Sequence, residues 1–121
     1  MGKMKDYKEL RVWNEAMDLV VDIYKIIKNF PKEENYVLAD QIRRSVISIP
    51  SNIAEGANRN TKKEFIQFLY IALGSSSELE TQLLIAKRLG YVFDIEKELE
   101  TILKIRKMVN SLIKSLKGTK P

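Results

Sequence analysis

The amino-acid sequence predicts an all-α protein, an antiparallel up-down-up-down four-helix bundle. Apolar residues recur at spacings of three and four in four successive segments, as one face of an α-helix requires. The alternating pattern of a half-buried β-strand is not sustained anywhere along the chain. The connections between the four segments are short, and short connections place consecutive helices side by side and antiparallel.

The first helix is expected over residues 10–29. It ends at the pair Phe30-Pro31, because proline disfavours helical backbone at the residue before it. The expected core stripe of this helix consists of Trp13, Met17, Val20, Tyr24 and Ile27. A second apolar set lies beside that stripe and consists of Val12, Leu19, Val21, Ile23 and Ile26.

The second helix is expected over residues 34–58, with Glu33 and Glu34 near its positive N-terminal end. Its core stripe consists of Leu38, Ile42, Val46, Ile49 and Ile53. Pro50 removes one backbone hydrogen bond within this helix, so the helix either kinks or breaks there. The apolar stripe keeps its phase across Pro50, which favours a continuous helix kinked near this residue.

The third and fourth helices are expected over residues 61–89 and 94–117. Thr61 and Glu64 have the spacing of a capping box, and Gly90 suits the left-handed position after a helix. Asp94 is the expected N-cap of the fourth helix, and Gly118 ends it. The core stripe of the third helix consists of Phe65, Phe68, Leu69, Ala72, Ser76, Leu79, Leu83 and Ala86. That of the fourth consists of Leu99, Ile102, Ile105, Val109, Leu112 and Leu116.

The composition excludes several classes of active site. By length, the 121 residues are expected to form one domain over 1–121. They include no cysteine and no histidine. Disulfides, Ser-His and Cys-His nucleophile pairs, and zinc sites of the usual Cys/His kind are therefore excluded. We predict a protein that is not an enzyme, with no catalytic residues, no metal site, no cofactor and no small-molecule substrate.

The distribution of apolar residues argues against a membrane location. No apolar run approaches the roughly 18 residues that a membrane span needs. The first residues lack the apolar core of a secretory signal. We therefore expect a cytoplasmic protein with no membrane partner.

The second helix also has apolar residues on the side opposite its core stripe. On a helical wheel, Ile47, Pro50 and Ala54 lie on this outer side, where a monomeric bundle normally has lysine and glutamate. Contiguous exposed apolar residues mark interaction surfaces, so these three are the candidate interface between copies of the chain. A single bundle with some exposed apolar residues is the alternative.

The segment Ser51–Gly56, SNIAEG, combines an amide, a carboxylate and a glycine within the second helix. A catalytic carboxylate would need a second titratable partner, yet Glu55 has only Arg59, four residues on, which predicts a simple ion pair. We therefore expect Asn52 and Glu55 to be structural and hydrogen-bonded. Gly56 is expected to let a neighbouring helix approach closely.

The net charge of +5 favours anionic partners such as nucleic acid. The candidate nucleic-acid-binding residues are Arg43, Arg44, Arg59, Lys62 and Lys63. The last three cluster at the turn between helices two and three, where the N-terminus of a helix suits phosphate. A solvated basic turn is the alternative. The sequence has no helix-turn-helix or aromatic RNA-binding sheet.

Three stretches of the chain carry a resemblance to a known family. They are QIRRSVISIPSNIAEG (41–56), KKEFIQFLYIALGSSSELETQL (62–83) and the opening LRVWNEAMDLV with FPKEE. Together they resemble the four-helix-bundle proteins of the bacterial 23S ribosomal RNA intervening-sequence family, over about residues 7–116. Arg43 and Arg44 match the family's arginine pair, and Asn52, Glu55 and Gly56 match its signature. Asn58 stands where the family commonly has glycine.

The resemblance implies a protein with no known enzymatic activity. The related accessory variability determinant proteins of diversity-generating retroelements form a basic pentamer that binds RNA and a reverse transcriptase. A homopentamer that binds structured RNA or a nucleoprotein partner is therefore the expectation here. The alternative is a protein-interaction scaffold that binds no nucleic acid.

Overall fold

The computed structural model describes residues 6–118, which contain four α-helices and two short 3₁₀ turns. The helices are α1 (Arg11–Ile27), α2 (Leu38–Ala57), α3 (Lys62–Arg88) and α4 (Glu96–Leu116). One 3₁₀ turn, Tyr7–Glu9, precedes α1, and the other, Lys32–Glu34, lies in the connection between α1 and α2. Within the described residues the protein is all-α, as the sequence predicts.

Each helix contacts the helix before it and the helix after it, and α4 also contacts α1, so the four enclose one core. The polar contacts between α4 and α1 show the relative direction of the two helices. Lys104 Nζ lies 3.1 Å from Glu15 Oε2, and Lys97 Nζ lies 3.9 Å from Asp22 Oδ2. The later residue of α4 thus meets the earlier residue of α1, as in two antiparallel helices.

The core stripe predicted for α2 is confirmed. All five of its apolar residues are buried, and Ile42, Val46 and Ile53 are fully inaccessible. The helix runs without interruption through Pro50, which is itself buried. A break into two helices is therefore not found, whereas the kink near Pro50 stays a prediction.

The core stripe predicted for α1 is wrong at every position except Ile27, which is buried as predicted. The residues buried there are Val12, Ala16, Leu19, Ile23 and Ile27. Of the predicted set, Trp13 and Val20 are half-buried, while Met17 and Tyr24 are exposed at 41% and 36%. The actual stripe lies one residue, or about 100° of helix rotation, from the predicted one. Two apolar stripes run side by side on α1, and periodicity alone does not say which faces the core.

The stripes predicted for α3 and α4 hold in most positions. Phe65, Leu69, Leu79 and Leu83 are buried on α3, whereas Phe68 is only half-buried. On α4 the buried residues are Ile102, Ile105, Val109 and Ile113, and the predicted Leu99, Leu112 and Leu116 are partly buried. Within residues 6–118, no helix is both long enough and apolar enough to cross a membrane.

The helix ends show which local signals in the sequence are decisive. Thr61 Oγ1 accepts a hydrogen bond from the backbone N–H of Glu64 at 3.1 Å, which confirms the N-cap of α3. Gly90 and Gly118 have φ of +81° and +77°, the left-handed region expected after α3 and α4. In contrast, α2 begins at Leu38 instead of residue 34, since Glu33 and Glu34 belong to a 3₁₀ turn. The N-cap of α4 is Ile95 instead of Asp94.

Candidate nucleic-acid interface

The turn between α2 and α3 is tight because the two helices approach closely at Gly56. A methyl group at this position would lie 2.7 Å from Phe68 Cβ and 3.0 Å from Phe65 Cδ1. Such distances are too short for a real side chain, so only glycine fits between the helices here. The close approach expected of Gly56 is present.

Arg59 is fixed at this turn by two neighbours. Its Nη2 lies 2.8 Å from Glu55 Oε2, the ion pair that the spacing of four residues predicts. Its guanidinium carbon also lies 4.8 Å from the centre of the Phe68 ring, within the range of a cation–π contact. The side chain is 41% exposed, so the guanidinium is held in place and still accessible to solvent.

Lys62 and Lys63 lie in the first turn of α3, next to Arg59, and both are exposed. Neither lysine has an ion pair within residues 6–118. The nearest acid in sequence, Glu64, accepts a hydrogen bond from Thr61 Oγ1 at 3.0 Å as part of the helix cap. The lysine charges are therefore available at the positive end of the α3 dipole.

Arg43 and Arg44 lie toward the other end of α2. About 20 Å of helix separates Arg43 from the α2–α3 turn, at about 1.5 Å per residue. Arg44 Nε is paired with Asp40 Oδ2 at 3.0 Å. Arg43 donates to the backbone oxygen of Asn35 at 3.0 Å and to its Oδ1 at 2.6 Å. The five predicted basic residues thus form two groups at opposite ends of α2.

Asn52 lies in a polar network between α2 and α3 that satisfies its amide. Its Nδ2 donates to Ser48 O and Ser48 Oγ, both at 2.8 Å, and Ser48 Oγ lies 2.7 Å from Ser75 Oγ of α3. One turn away, Ser45 Oγ donates to Gln82 Oε1 at 2.8 Å. The structural role predicted for Asn52 fits these contacts. The contacts between helices were not predicted, since a sequence does not give their register.

The predicted interface residues lie on one side of α2 but differ in how far they are exposed. Ile47 is 42% exposed and Ala54 is half-buried, whereas Pro50 is buried inside the monomer. These three residues line a shallow groove of about 350 Å³ between α1 and α2, together with Tyr7, Trp13, Met17, Val20 and Ser51. The outer apolar surface of α2 is therefore one wall of a groove whose other wall is the exposed flank of α1.

No described contact pairs Glu55 with a second carboxylate, and its side chain is 55% exposed. Within residues 6–118, no group of three or more acidic residues is positioned to hold a metal ion. A shifted pKa is found at Tyr91, whose hydroxyl donates to Glu34 Oε2 at 2.8 Å. This hydrogen bond, helped by burial and the charges of Glu34 and Glu33, raises the pKa of Tyr91 above its ordinary value of 10.0.

The fold and these sites define an all-α bundle with a basic turn between α2 and α3 and an exposed apolar groove between α1 and α2. Residues 8–114 match the family of 23S rRNA-intervening sequence proteins, and the chain belongs to that family. The crystal structure of a protein of unknown function from the S23 ribosomal protein family of Bacteroides thetaiotaomicron is similar. It shares 30% sequence identity with a TM-score of 0.76, over 85% of this chain and 98% of that one. No curated protein matches the chain.

Proposed function

We propose that this protein is a non-enzymatic helical bundle that binds structured RNA, with the α2–α3 turn as its phosphate-binding surface. The observation that supports this most directly is the juxtaposition of Arg59, Lys62 and Lys63 at the N-terminus of α3. Similarity to a family named for 23S rRNA intervening sequences supports RNA as the nucleic acid.

The geometry of the turn suits a phosphate backbone. Arg59 is already ordered by Glu55 and Phe68, so little side-chain entropy is lost when its free N–H groups meet a phosphate. The N-terminal N–H groups of α3 and the two lysines add positive potential at the same point. Because contacts of this kind do not read bases, recognition would depend on the shape of the RNA.

Self-association is the second part of the proposal. The groove between α1 and α2 is apolar, and α3 carries a separate apolar surface with Ile71 and Ile85 exposed at 50% and 43%. Contact between two different surfaces is heterologous, and heterologous contacts that close make a ring. A ring of five copies at +5 each would carry about +25, which would strengthen attraction to RNA.

The test is RNA binding at two salt concentrations with two triple variants. Replacing Arg59, Lys62 and Lys63 by alanine should weaken binding and reduce the slope of log affinity against log salt by about 2 to 3. The control replaces Lys87, Arg88 and Lys97 by alanine, which removes the same residue types and the same charge far from the turn. Equal losses in both variants, or no loss in either, would reject the turn as the binding surface.

A protein-interaction scaffold is the second candidate, and the exposed apolar surfaces favour it. In a scaffold the basic residues would only maintain solubility. This candidate predicts intact oligomers with no saturable binding of structured RNA at low salt. The binding titration of the unaltered protein therefore separates the two functions.

A further inference from the structure

A second groove lies at the end of the bundle away from the α2–α3 turn. It has a volume of about 540 Å³ and is formed by the end of α1, the connection to α2 and the first turns of α2. This volume falls within the range of small-molecule sites. The residues that carry its chemistry are Tyr24, Lys28, Lys32, Asn35, Tyr36 and Arg43.

The charge of this groove is positive. Lys28, Lys32 and Arg43 line it, and no carboxylate is among the lining residues. Two of the acids next to it in sequence are engaged elsewhere, since Glu34 accepts from Tyr91 and Asp40 pairs with Arg44. The third, Glu33, is exposed and is not among the lining residues. None of the three lining cations has an ion pair within residues 6–118. An anionic occupant would complement this charge.

Arg43 is held in position without being neutralised. Its two terminal nitrogens donate to the backbone and side-chain oxygens of Asn35, both of which are uncharged acceptors. A guanidinium has five N–H donors, so three remain. An ordered arginine with free donors and full charge is suited to a phosphate.

Two tyrosines give the groove an aromatic component. Tyr36 is 87% exposed, although a tyrosine of a globular domain normally buries most of its ring, and Tyr24 is 36% exposed. Exposed aromatic rings beside cations are the usual platform for an unpaired nucleobase, since the base stacks on the ring while the cations hold its phosphate.

We propose that this groove binds an unpaired nucleotide of RNA, with the base stacked on Tyr36 or Tyr24 and the phosphate held by Arg43, Lys28 and Lys32. The inference rests on the proposed function and adds to it the preferred form of RNA. The ligand would be a hairpin with a bulge or open loop, because a fully paired duplex leaves no base free to stack.

The first experiment compares two RNA hairpins of equal length, one fully paired and one with a three-nucleotide bulge. The unaltered protein should prefer the bulged RNA, and Tyr36→Ala should reduce binding of that RNA by about tenfold, in line with the loss of one stacked base. Tyr36→Phe keeps the ring and should bind normally. Phe93→Ala is the matched control, because Phe93 is 83% exposed but lies outside this groove.

The second experiment titrates adenosine monophosphate into the protein and follows the tyrosine ring signals by NMR. Adenosine monophosphate should shift Tyr24 and Tyr36, while ribose 5-phosphate, which has no base, should shift them far less. Normal RNA binding by Tyr36→Ala with no nucleotide-induced shifts would overturn the inference and leave the proposed function standing. The inference would also be overturned if Tyr36→Ala lost the preference for the bulged RNA and changed its oligomer mass at the same time. That result would show that the groove is a contact between copies of the chain.

Discussion

Gly56 of α2 faces Phe68 of α3 with no room for a side chain between them: a methyl group at Gly56 would lie 2.7 Å from Phe68 Cβ. The same Phe68 ring supports the guanidinium of Arg59 on its face. The glycine in the segment SNIAEG therefore determines how close α3 comes, and the closeness of α3 determines where the cation lies.

Replacing Gly56 by alanine should destabilise the fold. The clash costs about 1–3 kcal/mol, which outweighs the gain in helix propensity of about 1 kcal/mol, so a net loss of about 1 kcal/mol is expected. Gly74→Ala is the control, since nothing lies within 4 Å of a methyl group there. That variant should gain up to about 1 kcal/mol. Urea unfolding followed by circular dichroism measures both, and equal stabilisation of the two would contradict the packing described at Gly56.

Removing the cap of α3 should weaken the same turn. Thr61→Ala removes the side-chain acceptor for the N–H of Glu64 and should lower the free energy of unfolding by about 1 kcal/mol. Thr61→Ser keeps the hydroxyl and should retain most of the stability. If the serine variant lost as much as the alanine variant, the methyl group of Thr61, and not its oxygen, would be the stabilising element.

Placing a charge in the groove between α1 and α2 should separate the copies without unfolding them. Ile47 is 42% exposed in the monomer, so aspartate there remains hydrated in a free chain but is costly inside an interface. Ile47→Asp should reduce the mass in solution while helix content stays near its original value. Ile49→Asp should unfold the chain instead, because Ile49 is only 1% exposed. An unaltered protein that sediments as a 14.0 kDa monomer would end the proposal of self-association.

The hydrogen bond from Tyr91 to Glu34 should make stability depend on alkaline pH. The pKa of Tyr91 is raised in the folded protein, so the folded state binds its proton more tightly than the unfolded state does. Stability from this contact is complete below the ordinary pKa of 10.0 and is lost as pH rises through the folded value. The Tyr91→Phe variant should be less stable than the unaltered protein near neutral pH. Its free energy of unfolding should also fall less than that of the unaltered protein when the pH is raised to 11. The free energy of unfolding of both proteins is measured as a function of pH. If it changed in parallel for the two proteins, the hydrogen bond from Tyr91 to Glu34 would contribute nothing to the pH dependence of stability.

The sequence defined the α2 core because its large aliphatic residues, from Leu38 to Ile53, repeat at spacings of three and four, whereas the opposite side has Ile47 as its one large aliphatic residue. On α1 two stripes compete, and the choice between Val12 and Trp13 depends on the position of α2, which periodicity does not contain. The α3 cap was predictable because Thr61 and Glu64 act locally. The start of α2 was not predictable, because an acidic residue such as Glu34 suits a 3₁₀ turn as well as the first turn of an α-helix.

In the candidate sites, contacts within one helix could be predicted from the sequence, whereas contacts between helices could not. The Glu55–Arg59 ion pair follows from a spacing of four within one helix. The support of Arg59 by Phe68 and the link between Ser48 and Ser75 depend on the register of α2 against α3, which only the folded chain reveals. Tyr36 gave no signal in the sequence, because a lone tyrosine near a proline and two acids resembles any loop residue.

The unequal contacts between the helices affect how the fold opens. Contact is most extensive between α2 and α3, which also share buried serine hydroxyls, whereas the polar links from α4 to α1 are ion pairs at the surface. Local fluctuations would thus release the first and last helices before the central hairpin, whose amide protons should exchange last with deuterium. Glu55, Arg59 and Phe68 all belong to this hairpin, so the contacts that position the Arg59 guanidinium lie in the part of the fold that opens last.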